Sequence, residues 1–245
     1  MSIRTYSTFN YYPAPTNNSK TLLTGIRGRK VCKCSKSSYT GIPMKYRNTE
    51  LFISGWYNSP KVNDEVVTIP FVYKGDIAGN GIFHVLNYPS APGRTVTATN
   101  LYGPDIIKCN KIRVVGNYTI EENTTSKSVV IGCLYQGPLD GTGKWITLTP
   151  ASSDPVYNTI AHSTNGGIVV GNYDTELYQG KAFIYDICSK EYFDIIKPGA
   201  VSITAYGVWH NGGNSYTICG GYSDLNLLGL DIGYISRTET SEVMQ

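Results

Sequence analysis

Apolar and polar residues alternate along most of the chain, in short runs separated by Gly, Asn, Asp and Pro. Alternation with a period of two is typical of strands that bury one face, and these four residue types favour tight turns. The 3.6-residue period of an amphipathic helix is absent. The pattern therefore predicts an all-β protein built from many short strands.

Comparison of the chain with itself reveals a repeat of about 50 to 60 residues. An apolar strand that ends in Gly-x-Tyr occurs four times, at Tyr57, Tyr118, Tyr173 and Tyr222. A second apolar strand follows each copy, and then an alternating strand that ends at Pro13, Pro89, Pro150 or Pro198. A Thr-rich segment precedes each Gly-x-Tyr. Four strands per repeat predict the blades of a β-propeller.

The phase of the repeat predicts how the propeller closes. The chain begins with the proline-ended strand at 5–13 and ends just after a second strand at Ser236. Because an unpaired sheet edge promotes aggregation, we expect a single closed propeller whose last blade is completed by the N-terminal strand. The expected units within residues 1–245 are 14–89, 90–150, 151–198, and 199–245 with 1–13.

Four blades is the preferred number and five is the alternative. The first unit contains about 20 additional residues, near 27–46, that include Cys32 and Cys34. We interpret them as an insertion because each signature occurs only four times. The two thiols could ligate a metal, but no second Cys or Cys/His pair follows at a zinc-ribbon spacing. We therefore expect no metal and no cofactor.

Composition excludes several classes of protein. Charged residues are 16% of the chain, against about 25% in typical soluble domains. The net charge is +3, and the run of Arg and Lys between Arg27 and Lys36 is typical of a solvated loop, so no nucleic-acid binding is expected. No apolar run reaches the roughly 18 residues of a membrane span, and no signal peptide is visible. We expect a soluble, cytoplasmic protein, or a secreted one if a signal has been trimmed.

The six cysteines are too sparse for a disulfide-rich scaffold. Cys133, Cys188 and Cys219 lie in apolar strand patterns, where a free thiol behaves as a small hydrophobic group. We predict that these three are buried core residues.

Four segments of the second half of the chain carry a family resemblance. They are Lys-Ala-Phe-Ile-Tyr-Asp186, Tyr-Phe-Asp-Ile-Ile-Lys-Pro-Gly-Ala200, Gly-Val-Trp-His-Asn-Gly-Gly213 and Ile-Cys-Gly-Gly-Tyr-Ser-Asp224. This constellation resembles the extracellular repeats called HAF repeats, most clearly over 144–236. The resemblance implies a propeller fold and no established active site.

Propellers bind ligands at the mouth of the axial channel, where loops from all blades converge. If the Thr-rich segment is the innermost strand, four polar residues occupy comparable positions near the axis: Thr24, Asn100, His162 and Tyr206. This uncharged ring either holds water, an ion or a sugar hydroxyl, or simply lines a wet channel.

Aromatic residues divide into repeated and unrepeated ones. The tyrosine of each Gly-x-Tyr is expected to pack between blades, because it recurs in every unit. Trp56, Trp145 and Trp209 break the repeat, and an exposed tryptophan can stack on a sugar ring. The candidate ligand-binding residues are Trp56, Trp209, Asn100, His162, Tyr206 and His210.

A catalytic site is the alternative use of the same region. His162 and His210 lie in corresponding parts of neighbouring units, and His84 is expected on a solvent-facing outer strand. Asp174 and Asp224, together with Tyr206, could assist a histidine base. The chain contains none of the common nucleophile, zinc or nucleotide motifs.

Three functions follow from these observations. We favour a non-enzymatic, lectin-like propeller that binds a carbohydrate or another small polar ligand. The second possibility is a lyase, isomerase or hydrolase that uses His162 or His210 at the channel mouth. The third is a scaffold for protein interactions, and the oligomeric state is left open.

Overall fold

The computed structural model describes residues 21–30, 49–58, 67–76, 79–108, 111–121, 128–175, 180–224 and 231–239. These ranges contain fifteen β-strands, β1 to β15, and no helix. The described ranges therefore also lack a helix with the length and hydropathy needed to cross a membrane. The prediction of an all-β protein is confirmed.

The strands form four successive antiparallel meanders, called units 1 to 4. Unit 1 contains β1 (Thr21–Lys30), β2 (Thr49–Asn58), β3 (Thr68–Gly75) and β4 (Gly81–Val85). Unit 2 contains β5 (Thr95–Lys108), β6 (Lys111–Glu121), β7 (Ser128–Gly137) and β8 (Lys144–Leu148). Unit 3 contains β9 (Val156–Asn165), β10 (Ile168–Thr175), β11 (Lys181–Asp186) and β12 (Tyr192–Ile195). Unit 4 contains β13 (Ala200–Gly212), β14 (Ser215–Asp224) and β15 (Asp231–Glu239).

The meanders belong to three sheets. Unit 1 is a four-stranded sheet and unit 4 a three-stranded sheet. Units 2 and 3 form one eight-stranded sheet, because Val130 of β7 and Asn158 of β9 make a single parallel pair. Each unit follows the order predicted from the sequence: Thr-rich strand, Gly-x-Tyr strand, second apolar strand, then the proline-ended strand in units 1 to 3.

The hydrophobic core lies in layers between successive units. Leu101 of β5 packs with Phe52 and Val72 of unit 1. The equivalent residues in the next two layers are Ala161 of β9, against unit 2, and Ala205 of β13, against unit 3. The first strand of each unit therefore buries its apolar face against the unit before it. We call β1, β5, β9 and β13 the inner strands, because each contacts the inner strand of the next unit.

Every inner strand contains a β-bulge at the same place. The first glycine of each Gly-x-Tyr segment pairs with an inner-strand residue, after which the register shifts. The bulged residues are Thr24, Tyr102 with Gly103, His162 and Tyr206. A Cβ atom on any of these glycines would overlap an inner-strand carbonyl oxygen. Glycine is required because the two backbones approach too closely for a side chain.

The two ends of the series leave apolar surface uncovered. Leu23 and Ile26 of β1 are 49% and 65% exposed, although the residues equivalent to Leu23 in the other inner strands are fully buried. Ile235 of β15 is 80% exposed, whereas its equivalents in the third strands of units 1 to 3 are buried. The equivalent residues are Val72, Leu134 and Ile184. Unit 1 therefore exposes the face that other units bury against a preceding unit, and unit 4 exposes the opposite face.

The cysteine prediction was correct for one residue and wrong for two. Cys133 is buried in β7, but Cys188 and Cys219 are exposed. Cys188 lies in the turn after β11, where the apolar strand has already ended. Cys219 pairs with Ile235 and lies on the uncovered face of unit 4.

Parts of the predicted architecture fall outside the described residues. The expected N-terminal strand at 5–13 and the thiols of Cys32 and Cys34 lie there. The expected insertion at 27–46 overlaps β1, which continues to Lys30.

Adjacent glycines in β14 provide a test of the close approach. We expect Gly220→Ala to lower the free energy of unfolding by about 1 to 3 kcal/mol, because its Cβ would overlap the carbonyl oxygen of Thr204. Gly221→Ala is the matched control, since its nearest contact would be an ordinary 3.7 Å. Urea denaturation measures both variants. Equal losses of stability in the two variants would contradict the requirement for glycine at position 220.

Candidate functional site

Three bulged residues from consecutive inner strands meet at one place. The imidazole of His162 in β9 lies between the rings of Tyr102 in β5 and Tyr206 in β13. The ring centroids are 5.5 and 5.0 Å apart, in edge-to-face arrangement. A bulge changes the direction of a side chain relative to the regular alternation of the strand. The repeated bulge therefore brings these three side chains together.

The hydrogen bond of His162 defines its chemistry. Its Nε2 lies 2.7 Å from the amide oxygen Oδ1 of Asn172 in β10. An amide oxygen can only accept, so Nε2 carries the proton and Nδ1 of the neutral ring is an acceptor. Burial lowers the pKa of His162 below its ordinary value of 6.5, and the bond to Asn172 partly opposes that shift. The ring is therefore neutral at pH 7. We call Tyr102, His162, Asn172 and Tyr206 the inner-strand site.

The two tyrosines add hydroxyl groups to this site. Tyr102 is half-buried, and its burial raises the pKa of the phenol. Tyr206 is 56% exposed. The site therefore combines an imidazole acceptor, an amide and two phenols, and none of these side chains is charged at pH 7.

Arg27 of β1 contacts the inner strands of the other three units. Its Nε donates to the carbonyl oxygen of Pro104 in β5, at 3.2 Å. Its Nη2 donates to the carbonyl oxygen of Thr164 in β9, at 3.5 Å. Its guanidinium carbon lies 5.2 Å from the ring centroid of Trp209 in β13. Burial lowers the pKa of Arg27, while the charge of Asp105 raises it. Arg27 follows the bulged Thr24 by three residues, so its contacts lie about 10 Å along β1 from the bulge, at roughly 3.3 Å per residue.

A polar network fixes the ends of the inner strands of units 2 to 4. The buried carboxylate of Asp105 accepts hydrogen bonds from Nδ2 of Asn165, at 2.9 Å, and from the backbone N–H of Gly166, at 3.2 Å. Nη1 of Arg113 lies 3.9 Å from Oδ2 of Asp105. Oδ1 of Asn165 in turn accepts from the backbone N–H of His210, at 2.7 Å. Because these groups span three units, the network holds the inner-strand ends in fixed relative positions.

Among the residues predicted near the axis, His162 and Tyr206 belong to the inner-strand site. Thr24 also occupies a bulge, and its hydroxyl donates to the carbonyl oxygen of Leu101. Asn100 pairs with Asn117 and lies two residues before the bulged Tyr102. Tyr102 therefore occupies the position that was expected for Asn100. The sequence pattern missed Tyr102, because its position follows from the pairing of Leu101 with Gly116.

His210 belongs to the strand-end network. Its Nε2 lies 2.8 Å from the carbonyl oxygen of Gly213, and its ring lies 4.9 Å from that of Tyr216. His84 is half-buried on the outer strand β4, where burial and the charge of Lys74 lower its pKa.

The two candidate carboxylates lie toward the opposite ends of the inner strands from His210. Asp174 accepts hydrogen bonds from Nδ2 of Asn158, at 3.3 Å, and from the backbone N–H of Gly180, at 2.8 Å. Asn158 precedes His162 by four residues, about 13 Å along an extended strand. Asp224 is buried and pairs with Ala200 at the start of β13. The structure therefore pairs His162 with an amide and two phenols.

The tryptophans have different surroundings. Trp145 packs against Tyr88 and Tyr135, with ring centroids 5.2 and 5.0 Å away. Trp56 is half-buried in β2, and Trp209 is 59% exposed beside Arg27. Trp209 is the tryptophan that is both largely exposed and next to Arg27.

The Gly-x-Tyr tyrosines of units 2 and 3 are buried. The hydroxyl of Tyr118 lies 3.3 Å from that of Thr147, and the hydroxyl of Tyr173 donates to Asp194 at 3.0 Å. Burial raises the pKa of Tyr118 to about 12. Both hydrogen bonds lie within a single unit, so packing of the repeated tyrosines between blades stays a prediction.

Comparisons of the chain with protein-family models, with curated proteins and with solved structures find no match. Within the described residues, no group of three or more His, Cys, Asp or Glu side chains is placed to hold a metal ion.

The lowered pKa of His162 predicts a pH-dependent contribution to stability. The unfolded chain titrates near 6.5 and the folded chain at a lower pH, so the unfolded state binds more protons between the two values. The stability due to neutral His162 is therefore complete above about pH 6.5 and is lost as the pH falls through that window. The stability of the native protein relative to His162→Gln should rise between about pH 5 and pH 7 in urea denaturation. If the difference in free energy of unfolding stayed constant or fell over this pH range, the lowered pKa of His162 would be contradicted.

Proposed function

We propose that the four units close into a four-bladed propeller. Two observations support this ring. Arg27 of unit 1 contacts the inner strands of all three other units. The uncovered faces of unit 1, at Leu23 and Ile26, and of unit 4, at Cys219 and Ile235, correspond to the two faces that are buried together between successive units.

We propose that residues 5–13 supply the fourth strand of unit 4. In units 1 to 3 the fourth strand pairs with the third, as β4 with β3, β8 with β7 and β12 with β11. Among the described strands, none takes this place beside β15. Residues 5–13 have the same alternating pattern, ended by Pro13, as the fourth strands of the other units. Such pairing would remove the free edge of unit 4.

The function that the geometry supports best is binding of a small, uncharged, polyhydroxylated ligand of the carbohydrate class. The observation that carries this proposal is the position of His162 between Tyr102 and Tyr206, with Nδ1 left as an acceptor by the bond to Asn172. A sugar hydroxyl can donate to that nitrogen and accept from a phenol. Trp209 follows Tyr206 by three residues, about 10 Å along β13, and its exposed ring offers an apolar surface for the C–H face of a sugar.

The same geometry favours binding over acid–base catalysis. A general base works best when its pKa is near the working pH, and burial moves the pKa of His162 downward. Its ring is oriented by an amide, while Asp174 is engaged by Asn158 and Gly180. The role of an interaction scaffold stays a prediction from the sequence.

Deletion of residues 1–13 tests the ring. We expect the truncated protein to lose about 2 kcal/mol or more of stability, or to self-associate, because the edge of β15 would be left unpaired. Urea denaturation and sedimentation velocity measure the two outcomes. Deletion of residues 241–245 is the control at the other terminus. A monomer as stable as the full-length chain would contradict closure by the N-terminal strand.

A glycan array followed by calorimetry tests the ligand class. For a sugar identified on the array, we expect His162→Gln to weaken binding about tenfold or more, since loss of one well-placed hydrogen bond costs about 1 kcal/mol or more. His84→Gln on the outer strand β4 is the matched control and should bind normally. Absence of any glycan hit, or equal binding by the two variants, would contradict the proposal.

A further inference from the structure

Two lysines face each other at the tip of the hairpin between β5 and β6. Lys108 and Lys111 are direct cross-strand partners, and both side chains are exposed. Like charges directly opposite each other destabilise a strand pair. Within the described part of the chain, no carboxylate forms an ion pair with either ammonium group. The pair costs the fold stability, so it indicates an anion that comes from outside the folded chain.

Arg113 extends the positive charge along β6. It follows Lys111 by two residues, so the two side chains lie on the same face of the strand. This face turns toward unit 3, because Val115 of the same strand packs there. The guanidinium of Arg113 pairs with the carboxylate of Asp105, which also accepts the backbone N–H of Gly166. One carboxylate therefore serves several donors, and the charges of the two lysines are not neutralised by it.

Arg27 adds a fourth cation beside the same carboxylate. Its Nε donates to the carbonyl oxygen of Pro104, the residue before Asp105. Both of its hydrogen bonds go to neutral carbonyl oxygens, so neither of them offsets its charge. We call these four cationic side chains the basic rim: Arg27, Lys108, Lys111 and Arg113.

The balance of charge at this end of the inner strands is positive. Asp105 is the described carboxylate that pairs with a member of the basic rim. Glu50, at the start of β2, is paired with Lys74 at 3.5 Å, so these two charges offset each other. Asp174 and Asp224 lie toward the opposite ends of the inner strands. Cations concentrated at one end create a local positive potential that attracts anions.

We propose that the basic rim binds a compact polyanion, a small molecule that carries several phosphate-type charges close together. The ammonium groups of Lys108 and Lys111 contact the anion, and the two arginines add attraction at longer range. The four cations come from three strands, β1, β5 and β6, that meet at one place. This arrangement suits a compact anion better than an extended polymer, which needs cations in a line.

The basic rim lies apart from the inner-strand site. Asn165, whose Nδ2 donates to Asp105, follows His162 by three residues, about 10 Å along β9. The proposal does not depend on sugar binding at His162, so either site can fail without the other.

Calorimetry with inorganic tripolyphosphate on the full-length protein tests the proposal. We expect saturable binding at low ionic strength that weakens as NaCl is added, because salt screens the attraction between exposed charges. Acetate, which carries a single charge, is the control anion and should give no saturable heat. Absence of saturable binding of tripolyphosphate, or equal binding of acetate, would overturn the proposal. Binding of heparin by a protein that does not bind tripolyphosphate would also overturn it, in favour of an extended acidic polymer.

Substitution then locates the site. We expect Lys111→Gln to weaken tripolyphosphate binding about tenfold, since a hydrogen bond to a charged group contributes about 1.5 kcal/mol or more. The same change should keep or raise the melting temperature, because it relieves the repulsion across the hairpin. Lys111→Arg should retain binding, and Lys197→Gln, before the start of β13, is the matched control. Unchanged affinity of folded Lys111→Gln, or an equal loss in Lys197→Gln, would overturn the assignment to the basic rim.

Discussion

The close approach of the first two strands in each unit is the constraint on which the rest of the structure depends. At the glycine of Gly-x-Tyr, the two backbones leave no room for a Cβ atom. The inner strand bulges immediately afterwards, and the bulge turns one side chain out of the regular alternation. The position of that glycine therefore determines which inner-strand residue is available for chemistry.

Packing between units explains why such units occur in series. Among the described residues, the three largest buried clusters join residues of adjacent units. A linear series of this kind always leaves one face uncovered at each end. Ile26 and Ile235 are exposed at the two ends, and the proposed ring closure would cover both without a second chain.

The sequence predicted the elements better than the site. Alternation and the fourfold recurrence of Gly-x-Tyr were sufficient for the strand class and the strand order, because each unit repeats the same pattern. The choice of Asn100 instead of Tyr102 shows the limit. The bulge of unit 2 contains two residues, Tyr102 and Gly103, where the other inner strands have one, and alternation alone does not mark this irregularity.

Contacts between distant parts of the chain could not be predicted from local pattern. Arg27 stood in what was interpreted as a solvated basic loop, yet its guanidinium reaches β5, β9 and β13. Asp105 and Asn165 had no motif, and their roles depend on a network that spans three units. Cys219 was predicted to be buried because its strand is apolar, but burial there depends on a neighbouring unit.

The differences between units therefore carry the functional information, while the similarities carry the fold. At the bulge, one backbone conformation presents threonine, tyrosine, histidine and tyrosine in the four units. Three of these positions meet in one asymmetric polar site, because His162 lies between Tyr102 and Tyr206. Lys181 likewise occupies a register position at which the other three units have isoleucine. A side chain can therefore differ in one unit while the strand pairing around it recurs in the others.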